Sequence, residues 1–436
     1  MSQSLVPYVV LVWFVVFLLL GQNVATVLLG SGIVGIALWI GPRVFNGIIA
    51  QDIFFTASIY SLSIVPLYLL MAQLLLRGGV IVDLFRVGHR LSGYRRFPLG
   101  VATIITGGLL GAVSGSGSAS AAALASLAAP ELERLGYTRR FAVGLSAVAG
   151  SLSAIIPPSL IVIIYGAMAE VPIGHLFIGL IGPAMLCVLV FIVCLKVFGE
   201  VQPGAVDGVA TGEVPTHAEM RRSMSAFIFV IALMLVVFGG IYGGVVTVAE
   251  AGALGAFASL VGMVLMRRVS MRDIALALAD SVKVTGMLMM LVIGAQIFAR
   301  FLAFSRLPRE IVSMMEPLLD QPELIIAILM VVFFAAGMIL ESAAVIVLLV
   351  PLVLPLMQAA KIDLIWFGIM ACFMIAIGLL TPPVGLSVYA AASTARHPVG
   401  QVFRPATQFA VVAGVVVTAV MIFFPAIVTW LPSRIR

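Results

Sequence analysis

Residues 107–166 read GGLLGAVSGSGSASAAALASLAAPELERLGYTRRFAVGLSAVAGSLSAIIPPSLIVIIYG, and two interruptions in this run decide the fold. The first is Ser-Gly-Ser-Gly-Ser at 114–118, polar and flexible between apolar arms. The second is Pro157-Pro158-Ser159, set in a run that otherwise reads as one long apolar helix. Proline removes a backbone donor and clashes with the preceding turn, and the residue before it avoids the α region. In a lipid-facing helix such breaks strand polar backbone groups, so they are tolerated only where protein or a water-filled cavity receives those groups. Broken helices of this kind near the membrane midplane are how secondary transporters build their sites.

The surrounding composition agrees. Of 436 residues, 63% are hydrophobic and 10% charged, with mean hydropathy +1.24, whereas soluble proteins carry about a quarter charged residues. The expected class is an all-α polytopic membrane protein. The net charge of +6 reads as arginines of cytoplasmic loops. No basic stripe with interleaved aromatics points to nucleic acid as a partner. Cys187, Cys194 and Cys372 lie in apolar runs without metal-ligand spacing, as small buried hydrophobes do. The opening MSQSLVPYVV has no basic residue before its apolar run, so a first span is expected there rather than a cleaved signal peptide.

Segments of spanning length fall near 5–20, 24–41, 53–76, 141–169, 171–198, 226–248, 250–266, 284–304, 362–392 and 409–431. Two more, 98–129 and 323–358, are too long for one crossing: at 1.5 Å per residue each reaches about 48 Å or more, against a hydrocarbon core of about 30 Å. Each is interrupted near its middle, by Ser114–Ser118 and by Glu341-Ser342. Both read as re-entrant hairpins, with two short crossings each as the alternative. Arg77, Arg86, Arg90, Arg95 and Arg96 before the first hairpin, and Arg134, Arg139 and Arg140 after it, place its mouth in the cytoplasm. Glu310, Glu316, Asp320 and Glu323 before the second place that mouth outside. The N-terminus is then periplasmic. The polar linker 199–225, with Pro203, Gly204 and Gly208, is cytoplasmic. Two amphipathic stretches, 80–96 and 270–283, read as helices along the cytoplasmic interface.

The halves flanking the linker match, and a shift of 225 residues lays Pro130 on Pro355, Pro157 on Pro382, Pro158 on Pro383 and Ser116 on Glu341. Residues 1–198 hold three spans, the hairpin 98–129, the broken helix 141–169 and a final span. Residues 226–436 repeat that order with hairpin 323–358 and broken helix 362–392. Five crossings in the first half start the second from the opposite side, so the repeat is inverted.

At the first tip, Ser114, Ser116 and Ser118 offer hydroxyl oxygens, and Gly115 lets backbone carbonyls turn inward. Oxygen-only ligands suit a hard, weakly held cation, for which sodium is the natural candidate. The facing break runs from Gly150-Ser151 to Pro157-Pro158-Ser159, where proline frees the carbonyl of Ser153 or Ala154. The second half offers Gly337, Glu341 and Ser342 at the tip and Thr381-Pro382-Pro383-Val384-Gly385 at the break. An intramembrane carboxylate is costly, and three roles fit Glu341: cation ligand, proton carrier, or structural hydrogen-bond acceptor in the turn. Close helix packing by small residues is the plain reading of the serine–glycine tip. Glu250, after Thr247, reads as a local helix cap. Helix N-termini at the tips and after each Pro-Pro favour an anionic substrate group, for which Ser116, Ser118, Pro158, Ser159, Ser342 and Pro383 are the candidate contacts.

Catalytic readings fit poorly. Gly111-Ala112-Val113-Ser114-Gly115 has one residue too many for a Gly-x-Ser-Gly protease tip. None of the three lysines, Lys196, Lys283 and Lys361, follows a glycine, so no phosphate-cradling Gly-Lys-Ser/Thr loop exists.

At these residues the chain resembles the large membrane subunit of tripartite ATP-independent periplasmic (TRAP) transporters. The likeness rests on Ser-Gly-Ser at 114–116, Ala121-Ala122-Ala123-Leu124, Pro130, Gly136-Tyr137, Ile155-Ile156-Pro157-Pro158-Ser159 and Tyr165-Gly166. It continues through Gly337–Glu341, Pro351, Pro355, Thr381-Pro382-Pro383 and Gly385. The chain departs from the pattern at Ser120, at Thr247-Val248-Ala249-Glu250 and at Glu341-Ser342-Ala343. The resemblance implies a bacterial inner-membrane permease working as an elevator, with both hairpins in a sliding transport domain driven by a sodium gradient. It also implies two partners, a small four-helix membrane (Q) subunit and a periplasmic binding (P) protein. The P protein would deliver a small carboxylate such as a C4-dicarboxylate or sialic acid. The alternative is a stand-alone sodium-coupled carboxylate symporter.

Overall fold

The computed structural model describes residues 5–41, 45–203 and 216–434. The chain opens with α1 (Val6–Leu19), α2 (Val24–Ile40), α3 (Phe45–Ala57), α4 (Ile64–Arg77), α5 (Val80–Leu91), α6 (Arg96–Ser114) and α7 (Gly117–Arg134). It continues through α8 (Arg139–Ser151), α9 (Leu160–Met168), α10 (Ile173–Gly179), α11 (Ile181–Phe198), α12 (His217–Tyr242), α13 (Val248–Leu265) and α14 (Met271–Ser305). The last third is α15 (Leu307–Met314), α16 (Pro322–Gly337), α17 (Ser342–Ala359), α18 (Leu364–Gly378), α19 (Leu386–Thr394), α20 (Val399–Phe423) and α21 (Ala426–Thr429). No strand occurs among the described residues, and seven helical stretches are long and apolar enough to cross a membrane.

Both long interrupted segments are helical hairpins, α6–α7 and α16–α17, and both diproline segments are broken helices, α8/α9 and α18/α19. Elsewhere the expected boundaries shift for local reasons. The span expected at 53–76 is split between α3 and α4. There the Ser58 hydroxyl donates to the Phe54 carbonyl and the Ser63 hydroxyl to the Tyr60 carbonyl, local bonds that compete with a continuous helix. The separate helix expected at 270–283 is instead the start of α14, whose 35 residues extend about 52 Å. Ser270 and Asp273 form a capping box there, and no proline follows until Pro308. The last span starts at Val399 rather than 409, directly after Pro398. Helix α12 starts at His217, inside the expected linker 199–225, where Thr216 and Glu219 cap it reciprocally. Residues 204–215 of that linker, with Gly204 and Gly208, lie outside the described residues.

The helices pack in two groups, each drawing on both halves of the chain. In one, α2 and α4 lie along α14, α4 on α13 and α5 on α12. Ion pairs fasten it: Asp52 with Arg300, Arg77 with Asp280, and the buried Asp83 with Arg268. Asp83 also accepts from the Ser223 hydroxyl at 2.6 Å. In the other group, α6 and α7 lie against α8, α16 against α18, and α11 and α8 against α20.

Hydrogen bonds fix the direction of the two broken helices. At one end, Arg139, opening α8, donates to the carbonyl of Ala395, just after α19. At the other, the Tyr165 hydroxyl near the end of α9 donates at 2.6 Å to the carbonyl of Leu364, which opens α18. The two units therefore run antiparallel. The mouth of the first hairpin lies at the Arg139 end, where Arg96 donates to the Leu135 carbonyl. The mouth of the second lies at the Leu364 end, so the hairpins enter from opposite ends.

Candidate functional site

At the first tip, α6 stops because Gly115 turns left-handed (φ 62°). Ser116 is extended and opens α7 without a side-chain cap. The Ser116 carbonyl accepts from Ser120 N–H at 3.1 Å, the Ser114 hydroxyl at 3.2 Å and the Ser153 hydroxyl at 2.9 Å. The Ser120 hydroxyl donates to that of Ser114 at 3.0 Å, and the hydroxyls of Ser116 and Ser118 lie 3.4 Å apart. The tip is thus tied by the Ser153 side chain to the break facing it. A Cβ on Gly115 would stand 3.1 Å from the Pro158 carbonyl oxygen, and one on Gly117 would stand 3.5 Å from the Ala154 Cβ and the Ser387 hydroxyl.

The first break starts where α8 ends at Ser151. A short 3-10 turn over 152–154 follows, and then the cis Pro157-Pro158 bond. Ser151, Ser153 and Ser159 are fully buried, and Pro157 and Pro158 are buried beside them. Of the two carbonyls expected to be free, that of Ala154 accepts the Ser159 hydroxyl at 2.5 Å. Ser159 therefore satisfies backbone that proline leaves open. Ser153, not foreseen as a side-chain contact, donates to Gly150 and across to the tip. Gly150 brings α8 against the backbone of Ala121 in α7.

The second junction repeats the plan with backbone in place of hydroxyls. The Met338 carbonyl, one residue past α16, accepts from Val384 N–H at 3.2 Å and Gly385 N–H at 3.1 Å, directly after the cis Pro382-Pro383 bond. Gly337 approaches the Ile375 carbonyl, and Gly378 approaches Gly337 and the Phe334 carbonyl. The Thr381 hydroxyl folds back on the Gly378 carbonyl at 2.8 Å. The Glu341 carboxylate caps α17, accepting from Ala343 N–H at 2.9 Å. Ser342 beside it is buried, while Glu341, Pro382 and Pro383 are exposed. Pro382 lines a cavity of about 570 Å³ with Phe198, Phe403, Arg404 and Thr407.

The two junctions interlock, since α19 of the second broken helix packs along α7 of the first hairpin and α9 along α17. All sixteen residues singled out in the sequence lie at or beside one junction or the other. Those missed as side-chain contacts are Ser153 and Ser387, whose neighbours come from distant sequence, and Ser120, whose partner Ser114 lies in the same tip. Also unforeseen are two adjoining cavities between the helix groups, both lined by Glu170. One, of about 710 Å³, is lined by Tyr60, Ser61, His175 and Thr247. The other, of about 780 Å³, is lined by Gln51, Gln296 and the bidentate Asp52–Arg300 pair, with bonds of 2.6 and 3.0 Å. Glu250 forms a capping box with Thr247, as expected.

Two antiparallel helix–break–helix units, each meeting a hairpin tip in an all-helical membrane bundle, define an inverted-repeat membrane transporter. The family model described as "Tripartite ATP-independent periplasmic transporter, DctM component" matches residues 11–427. The chain belongs to that family. It is 30% identical over 387 residues to the C4-dicarboxylate TRAP transporter large permease protein of Pseudomonas aeruginosa, covering 88% of this chain and 87% of that one. It is 28% identical over 418 residues to the ectoine/5-hydroxyectoine TRAP transporter large permease protein of Ruegeria pomeroyi, covering 96% of each. Among solved structures, the YdaH transporter of Alcanivorax borkumensis shares the fold with a TM-score of 0.67 at 13% identity, covering 97% of this chain and 99% of that one. These relatives are membrane permeases, not enzymes.

Proposed function

We propose that this chain is the permease of a sodium-driven import system for a small organic acid or related small anion or zwitterion. A periplasmic binding protein delivers the substrate, and a separate small four-helix membrane subunit accompanies the chain in the bacterial inner membrane. The helix group containing both hairpins is the moving body, and the group braced by the three ion pairs is the scaffold, with the N-terminus periplasmic. The observation that carries the reading is the pair of antiparallel tip-to-break junctions. There interrupted backbone and clustered oxygens are held inside a membrane bundle, as transporters hold coupling ions. The substrate range is kept broad because the named relatives include C4-dicarboxylate and ectoine permeases.

Reconstituted uptake tests this. Uptake is expected only with an inward sodium gradient and added binding protein; uptake by the chain alone would make it a stand-alone symporter. Loss of uptake under every gradient would remove transport altogether. Ser116→Ala and Pro157→Ala are expected to raise the sodium half-saturation while the protein stays folded in detergent. An unchanged half-saturation in both would move the cation away from the first junction.

A further inference from the structure

The two helix groups meet beside α5, where a cavity of about 430 Å³ opens between α5, α6 and α12. Leu84 and Leu91 of α5, Val101, Ile105 and Leu109 of α6, and Phe227 of α12 line it. Its hydroxyls are Thr106 and Ser92, and the Ser92 hydroxyl donates to the His89 carbonyl at 2.6 Å. The groove is therefore apolar along its length. It follows α6 from Phe97 to Leu109, a rise of about 18 Å against a hydrocarbon core of about 30 Å. Leu91, Phe97 and Ile105 stand exposed along it, Leu91 at 74%.

The end of the groove at Leu91 and Phe97 is basic. Arg90 precedes Leu91, and Arg95 stands two residues before Phe97, at the end where the first hairpin has its mouth. Both are exposed, and neither forms an ion pair among the described residues. Glu131, whose charge acts on the neighbouring His89, is itself paired with Arg134 at 3.0 Å. A cationic rim above an apolar slot complements a molecule with an anionic head and a hydrocarbon tail. A partner's transmembrane helix would run the full thickness of the core, whereas this groove stops at Leu109 after about one leaflet.

We propose that the α5–α6 groove binds an anionic phospholipid, its phosphate at Arg90 and Arg95 and one acyl chain along Val101, Ile105 and Leu109. Long arginine side chains lie along apolar surface and keep their charge at the headgroup level. A lipid in this place touches α5 and α12 of the braced group and α6 of the hairpin group at once. The assignment requires membrane residence alone, so it stands whether or not the coupling proposed above holds.

The test uses the complete transporter in lipid nanodiscs with a trace of phosphatidylglycerol carrying a diazirine in its acyl chain. After illumination, adducts are expected on α6 between Phe97 and Leu109 and far fewer on the exposed flank of α11 at Met185, Leu189 and Val193. Unlabelled phosphatidylglycerol should compete about 25-fold better than phosphatidylcholine, about fivefold for each arginine near the surface. Arg90→Ala with Arg95→Ala, both exposed positions, should fold and bring the two competitors level. Ile105→Trp, also at an exposed position, should fill the groove and remove the α6 adducts. Equal labelling of α6 and α11, or equal competition in the wild type, overturns the assignment. So does a 25-fold preference that survives loss of both arginines, or labelling that persists in Ile105→Trp. Adducts that form on the chain alone and vanish in the complete transporter would give the groove to a protein partner instead.

Discussion

At the first junction every member of the break from Ser151 to Ser159 except Ile156 is buried, and the serine hydroxyls there find protein partners. At the second, Glu341, Pro382 and Pro383 stand exposed, and the tip is held by two backbone bonds to Met338. The difference lies in which groups meet the interrupted backbone. Freed backbone carbonyls sealed from water must be met from inside the protein, and Ser153 and Ser159 meet them at the first break. The second break borders a cavity at Pro382, and its backbone N–H groups at Val384 and Gly385 are met by the Met338 carbonyl. One plan is thus tied across by a serine hydroxyl at the first junction and by backbone bonds to Met338 at the second.

Accessibility gives the largest contrast. Glu341→Cys should react with a maleimide in the folded protein and Ser153→Cys should not. Cys187, Cys194 and Cys372 are buried and give a low background, so equal labelling of the two variants would break the comparison. Stability comes next. Ser153→Ala removes the bonds to Ser116 and Gly150 and should lower unfolding stability by about 1–3 kcal/mol. Thr381→Ala at the second junction loses one back-bond and should cost about 0.5–1.5 kcal/mol. Detergent melting curves rank the two, and the reverse order would mean that the first junction is not the one held by hydroxyls.

The sharpest discrimination is expected at Glu341, where the Gln variant should show the smallest stability effect. Glu341→Ala removes a helix cap, at about 0.5–2 kcal/mol, whereas Glu341→Gln keeps an acceptor for Ala343 and should melt like wild type. If the charge serves coupling, the Gln variant nonetheless loses uptake by about tenfold, the scale of one charge-assisted contact. Wild-type uptake in Glu341→Gln would reduce the residue to its cap.

Much of this was legible in the chain because it is local. Pro157-Pro158 and Pro382-Pro383 stop helices wherever they occur, and Ser-Gly-Ser at 114–116 cannot continue one cleanly, so two hairpins and two broken helices were readable without coordinates. The 225-residue offset carried the internal repeat. What misled was also local. Ser58 and Ser63 broke a span that hydropathy joined, and an amphipathic opening at Met271 ran on into α14 because nothing in the sequence stops it.

By itself, then, the sequence determined membrane residence, the places where helices break, and the pairing of like elements across the two halves. These depend on hydropathy and on backbone chemistry within a few residues. Only the tertiary structure decided that α19 lies along α7. It also decided that Ser153 reaches the Ser116 carbonyl, and that Ser387 faces a glycine 270 positions earlier in the chain. Those meetings join residues far apart in sequence, and their geometry depends on how antiparallel helices pack, which no short stretch encodes.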